Sequence, residues 1–304
     1  PLLSYITCKN RIFATIMSKQ QKIELMAPAG SYEALMAAIH AGCDSVYFGV
    51  EQFNMRARAT MNFTLEDLAK VGGICIENNV RSYLTLNTIV YDHDLTAIKT
   101  VLDKAKAGGI TAVIASDQAV IAYARSIQME VHISTQVNIT NIETVKFYAL
   151  FADTMVLSRE LSLIQVKKIC DQIEKENVCG PSGRLIEIEI FVHGALCMAV
   201  SGKCYLSLHT TNASANRGAC VQNCRRSYKV IDQEEGHEFA IENEYIMSAQ
   251  DLCTIDFIDQ VIDSGVKVMK IEGRGKGADY VKTTVECYRE AIDAYYENTY
   301  TKEK

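Results

Sequence analysis

Nowhere in the 304 residues is there an unbroken apolar run of the roughly eighteen residues that a membrane-spanning helix needs. The leader PLLSYITCKNRIFATIM also lacks the continuous apolar segment of a secretory signal. A cytoplasmic protein without membrane contact is therefore expected. Neither sign of charge dominates: 31 Lys and Arg stand against 37 Asp and Glu, for a net charge of −6. Such a balance demands no polyanionic partner, so contact with nucleic acid would have to come from a local patch. HExxH, GxSxG and Walker A motifs are all missing, which removes the common zinc-protease, serine-hydrolase and P-loop readings.

What is present is a hydrophobic content of 48%, enough for a large core, together with eleven cysteines. An odd number of cysteines argues against a fully paired disulfide framework. A reducing compartment, with some thiols binding metal or doing redox work, fits better.

Residues 1–22 precede the first strand pattern and are expected to lie outside the fold, as a disordered leader or a gene-prediction artefact. From residue 23 on, short β-branched or apolar runs alternate with stretches of helical spacing. Strands are expected at 23–28, 44–49, 81–87, 111–116, 130–135, 154–158, 185–192 and 266–273. About eight strands, each followed by a helix, make an α/β fold of the (β/α)8 TIM-like barrel type rather than a doubly wound sheet. The active site then belongs at the carboxyl ends of the strands. Residues 197–249 form a long insertion after strand 7, in which 228–232 and 239–247 read as a hairpin.

Period-two alternation along EIEIFVH groups Glu187, Glu189, Phe191 and His193 on one face. The same alternation groups Lys270, Glu272 and Arg274 on the last strand, and His132, Ser134 and Gln136 on the fifth. Ionisable groups inside a barrel must be paired or hydrogen-bonded, so the pattern describes either a polar pocket or a structural ion-pair layer of Glu24, Glu189, Glu272 and Lys270.

Cys197, Cys204, Cys220 and Cys224 fall together in the long loop with the spacing C-x6-C-x15-C-x3-C. Four thiolates suit tetrahedral zinc or an iron-sulfur cluster. Only one short pair is present, and the spacing leans toward the cluster; four unliganded thiols are the bland alternative. Cys43, Cys75, Cys170, Cys253 and Cys287 sit inside strand or helix patterns and are expected to be buried small hydrophobes. A nucleophile made of Cys197 and His193 would require a tight turn after Gly194 to bring the two together.

At EIEIFVHGALCMAVSGKCYLS the chain resembles the collagenase-like peptidases, peptidase family U-32. The segments ELMAPAGSYEAL, STQVNITN, VLSRELSL, NRGACVQNCRRSY, MSAQDL and KIEGRGKGADYV extend the likeness over nearly all of residues 23–297. Within that family the likeness is strongest to prephenate-dependent tRNA hydroxylases that form 5-hydroxyuridine at the wobble position. Other members hydroxylate ribosomal RNA or a ubiquinone precursor.

The resemblance implies a single catalytic barrel over residues 23–304, a [4Fe-4S] cluster on Cys197, Cys204, Cys220 and Cys224 within the 197–249 insertion, prephenate as the hydroxyl source and tRNA as partner. The family's further carboxyl-terminal domain does not follow YREAIDAYYEN here, which leaves room for a partner protein that supplies it. Arginines suit the two carboxylates of prephenate. Substrate contact is accordingly expected from Arg56, Arg58, Arg159, Lys270 and Arg274. RNA contact is expected from Arg217, Arg225, Arg226 and Lys229, and proton transfer from His193, Glu189 and Tyr47. Peptidase activity is the competing reading.

Overall fold

The computed structural model describes residues 22–50, 53–55, 57, 62–239 and 246–301. Its strands are β1 (Glu24–Pro28), β2 (Ser45–Phe48), β3 (Arg81–Leu86), β4 (Ala112–Ala115), β5 (Glu130–Ile133), β6 (Thr154–Val156), β7 (Glu187–Gly194), β8 (Val230–Ile231), β9 (Glu238–Phe239), β10 (Leu252–Cys253) and β11 (Val268–Ile271). The helices are α1 (Tyr32–His40), α2 (Leu68–Glu77), α3 (Leu95–Ala107), α4 (Gln118–Ser126), α5 (Ile142–Tyr148), α6 (Leu163–Glu176), α7 (Leu206–Thr211), α8 (Ile258–Asp263) and α9 (Ala278–Tyr296).

Strands β1 to β7 pair in chain order, all parallel, and β11 closes the ring between β7 and β1. All eight predicted strands are there, and the barrel is the TIM-like one expected. The 228–232 and 239–247 hairpin appears as the antiparallel pair β8 and β9, with residues 240–245 outside the described residues. β10 was not foreseen. At two residues it is too short to show any alternation, yet it pairs antiparallel with the exit of β7.

Alternation sorts the strand side chains into two cores. Leu25, Val46, Phe48, Leu84, Ile188 and Met269 face outward and pack under the helices. Met26, Tyr47, Tyr83, Ala112, Ile114 and Val268 face inward and fill the barrel. Local signals fix the helix starts: Ser31 Oγ accepts from the Ala34 N–H (3.2 Å), and Asp117 accepts from that of Ala119 (2.8 Å). Gly30 is needed where β1 turns into α1, because a Cβ there would stand 2.0 Å from the Arg274 carbonyl oxygen.

The amino-terminal half of the barrel interior holds a chain of alternating charges. Arg81 bridges Glu24 (3.2 Å) and Glu130 (2.7 Å). Glu130 meets His132 (3.3 Å), His132 faces Glu189 (3.7 Å), and Glu189 holds Lys270 (2.8 Å). The structural ion-pair layer therefore exists with a different membership. Glu24 takes Arg81 as its partner, and Glu272 sits higher, beside Tyr47. Burial works against the charged forms, but each neighbour outweighs it. His132 is pushed up to about 9, Glu130 is lowered to about 2, and Glu189 is lowered.

Candidate functional site

Above this charged layer, at the carboxyl ends of the strands, a cavity of about 1260 Å³ including its open mouth lies beneath the long loop. Its floor is made by Tyr47 and Lys270, its sides by Arg159, Glu272 and Arg274, and its roof by loop residues 195–225. The loop is tied down by particular residues. Gly194 turns at φ 101°, where a Cβ would stand 2.5 Å from the Glu272 carbonyl oxygen. Ser201 accepts from Arg159 Nη2 (2.9 Å), and its carbonyl accepts from Asn138 (2.9 Å).

All four loop cysteines, Cys197, Cys204, Cys220 and Cys224, are free thiols lining this one cavity. They sense one another: burial first, then Cys197 and Cys220, raise the Cys224 thiol, with Cys204 adding to the shift and Arg225 opposing it. Among the described residues no three His, Cys, Asp or Glu side chains converge to hold a single metal ion. As placed, the thiols frame a space rather than a point. That donor set, four thiols around a shared volume, fits a multi-iron cluster better than one zinc ion.

The cationic residues differ in their commitments. Lys270 is nearly buried, salt-bridged to Glu189 from below, with Nζ 4.4 Å from the centre of the Tyr47 ring. Arg274 is buried and held by Thr85 Oγ1 (2.8 Å) and Asn54 Oδ1 (3.1 Å), with its guanidinium 5.6 Å from the same ring. Arg159 lines the cavity, and its Nε is buried without a hydrogen-bond partner. Arg56 and Arg58 lie outside the described residues. Sequence reasoning did not single out Asn54, Thr85, Thr135 or Asn216. Thr135 Oγ1, Gln136 Oε1 and Asn216 Oδ1 are buried, lack partners and belong to cavity-lining residues, so the pocket offers a polar ligand unmet hydrogen bonds.

Of the three residues expected to move protons, only Tyr47 reaches the cavity. Its hydroxyl lies 3.0 Å from the Ile271 carbonyl oxygen and 3.1 Å from Glu272 Oε2. Glu189 is fully buried below Lys270 and serves as its counter-ion. His193 does not line the cavity. The register between β7 and β11 shifts between Lys270 and Ile271, and this irregularity ends the simple alternation. The imidazole packs instead against Tyr280 (6.0 Å) and Tyr288 (5.5 Å) of α9.

The basic loop residues also separate. Arg217 is engaged with Asp94 (2.6 Å) and stacks over Tyr91 (4.0 Å), so it anchors the loop rather than facing outward. Arg225 lines the cavity and reaches Asp251 (3.5 Å). Lys229 forms an exposed pair with Glu238, while Arg226 is exposed. Cys43, Cys75 and Cys170 are buried as expected, and burial raises Cys75 to about 11 and Cys170 to about 12. Cys253 and Cys287 are exposed, contrary to that expectation. Cys287 falls off the buried stripe Val281, Val285, Tyr288 and Ile292 of α9, and Cys253 lies on the short edge strand β10.

Fold and site together define a (β/α)8 barrel with a four-cysteine loop roofing a cationic pocket at its carboxyl end. The model of Peptidase family U32 matches residues 30–304. The chain belongs to that family. It is 58% identical over 280 residues to a protein named collagenase from Porphyromonas gingivalis, covering 92% of this chain and 68% of that one. It is 33% identical over 301 residues to tRNA hydroxylation protein P1 of Bacillus subtilis, covering 95% and 68%. A third relative, the 23S rRNA 5-hydroxycytidine C2501 synthase of Escherichia coli, is 34% identical over 277 residues, covering 91% and 40%. Among solved structures the U32 peptidase Mk0906 superposes with a TM-score of 0.53 at 10% identity, covering 87% of this chain and 98% of that one. That likeness supports the barrel fold. No helix among the described residues is long and apolar enough to cross a membrane.

Proposed function

We propose that the protein is an RNA-modifying hydroxylase, acting on tRNA to form 5-hydroxyuridine at the wobble position with prephenate as hydroxyl source. The observation that carries this reading is the meeting of four free thiols and three cationic side chains in one cavity at the catalytic end of the barrel. The names of the Bacillus subtilis and Escherichia coli relatives support RNA as the substrate class. Cys197, Cys204, Cys220 and Cys224 would hold a [4Fe-4S] cluster, and such a cluster supplies one-electron chemistry when bound.

The chain's own residues do the rest. Arg159 and Arg274 offer guanidinium forks to the two carboxylates of prephenate, and Lys270 adds a point charge at the cavity floor. Because Arg274 is fixed by Thr85 and Asn54, little order remains to be imposed when an anion arrives. The Tyr47 hydroxyl, held beside Glu272, is the group positioned to hold or pass a proton at the floor. Thr135, Gln136 and Asn216 have the unmet hydrogen-bonding capacity that an extruded pyrimidine edge requires. Around the mouth, exposed Tyr205 and Tyr228 supply stacking faces, and Arg226 can meet phosphate.

In a strain lacking the gene, loss of wobble 5-hydroxyuridine should be restored by the wild-type chain and not by Cys220→Ala. Restoration by both would overturn the role of the cysteines, and restoration by neither would overturn tRNA as the substrate. A second reading, a peptidase, is favoured by the collagenase name of the Porphyromonas gingivalis relative. It requires release of peptides from gelatin by the purified protein.

A further inference from the structure

Outside the cavity, on the far side of β7, a second group of reactive side chains meets that the proposed hydroxylation does not use. Cys253 of β10 is the register partner of His193 of β7. The Thr254 N–H donates to the Val192 carbonyl (3.2 Å), which makes Cys253 and His193 a non-hydrogen-bonded antiparallel pair. In such a pair the Cα atoms stand about 4.5 Å apart and the side chains share a face.

The Cys253 thiol is exposed and within hydrogen-bonding reach of the Tyr288 hydroxyl. The Tyr288 ring stands edge-on to the His193 imidazole, whose Nδ1 is buried without a partner. The groups facing this pair are Tyr280 and Tyr288 from α9, Asp251 from β10's approach and Glu272 beyond Tyr280. Burial lowers the His193 pKa more than Asp251 raises it, so the imidazole is neutral near pH 7. Burial pushes Tyr280 up to about 12 and raises Tyr288 as well, so neither phenol is ionised at neutral pH.

We propose that Cys253 is a site of reversible covalent modification, at which a low-molecular-weight disulfide exchanges onto the chain while His193 accepts the thiol proton. A rotation about the Cα–Cβ bond of Cys253 carries Sγ from Tyr288 toward the imidazole. Sγ gives its proton to Nδ1 and the thiolate attacks one sulfur of the disulfide. The new S–S bond forms as the old one breaks, and the departing thiolate takes the proton from the imidazolium. Cys253 is oxidised to a mixed disulfide, half of the small disulfide is reduced to thiol, and no other reactant is needed. The site is independent of the cluster ligands.

The test uses the full chain and dithiobis(nitrobenzoate), with modification rates read residue by residue through peptide mass spectrometry between pH 6 and 9. Cys287, the exposed thiol of α9, is the reference within the same molecule. Cys253 should react about tenfold faster than Cys287 at pH 7, with the midpoint of its rate profile at lower pH. His193→Asn should remove that advantage and leave Cys287 unchanged. Equal rates at the two thiols in the wild type, or a Cys253 rate indifferent to His193→Asn in a folded variant, would overturn the proposal. If the variant does not fold, the wild-type comparison decides alone.

Discussion

His132 sits wholly inside the barrel between two carboxylates, Glu130 and Glu189, and its folded pKa of about 9 stands above the ordinary 6.5. The shift of two to three units corresponds to about 3 kcal/mol of stability linked to this proton. Because the folded value is raised, that stability is fully present below pH 6.5 and is lost as pH rises through about 9. Glu130, lowered to about 2 from 4.5, acts in the opposite window: its contribution is present above pH 4.5 and lost as pH falls toward 2. Urea unfolding followed by circular dichroism at pH 6, 7, 8, 9 and 10 measures the effect. Against His132→Gln, in which nothing titrates at this position, the wild type should lose about 3 kcal/mol of relative stability across the series. Parallel stability curves for the two proteins would refute the reasoning, and so would a ring-proton NMR titration of His132 with a midpoint below pH 7.

Lys270→Met should be destabilising by roughly 3 to 5 kcal/mol, because it leaves Glu189 charged, buried and short of its closest partner. Adding Glu189→Leu should recover part of the loss, and thermal unfolding of both variants checks this. Arg226→Ala should weaken tRNA binding and reduce the slope of log affinity against log salt by about 1, as expected for a lost phosphate contact. Arg217→Ala should leave that slope unchanged and lower the melting temperature, since its guanidinium is spent on Asp94. Filter binding across a salt series separates the two.

The barrel was legible because its signal is repeated: eight apolar runs, each long enough to show a period, with capping residues such as Ser31 and Asp117 between them. The four loop cysteines were legible because thiols close in a polar loop are rare enough to stand out, and the fold gathers them around one cavity. Single positions were harder. Alternation placed Glu189 and Lys270 correctly inward but carried His193 too far, since a register shift leaves no mark in the sequence. Cys253 was mistaken for a core thiol because a two-residue edge strand shows no period. Arg217 reads like Arg226 in sequence, and only its distant partner Asp94 distinguishes them.

The separation of charge along the barrel axis bears on how the pocket keeps its chemistry. Below the floor each cation has a counter-ion: Arg81 has Glu24 and Glu130, His132 has Glu130 and Glu189, and Lys270 has Glu189. Those acids neutralise the lower layer and pin Lys270 from beneath, so its ammonium reaches the cavity without being free to swing away. Above the floor the balance changes. Arg159 is held through Ser201, and Arg274 through Thr85 and Asn54; these neutral partners orient the guanidinium groups without cancelling their charge. A dicarboxylate entering the pocket would therefore meet fixed positive charge, in a space enclosed well enough for that attraction to exceed its value in water. The same division explains why Glu189, the most conspicuous acid on the strand beside the cysteines, is a support for the site and Tyr47 is the group that faces it.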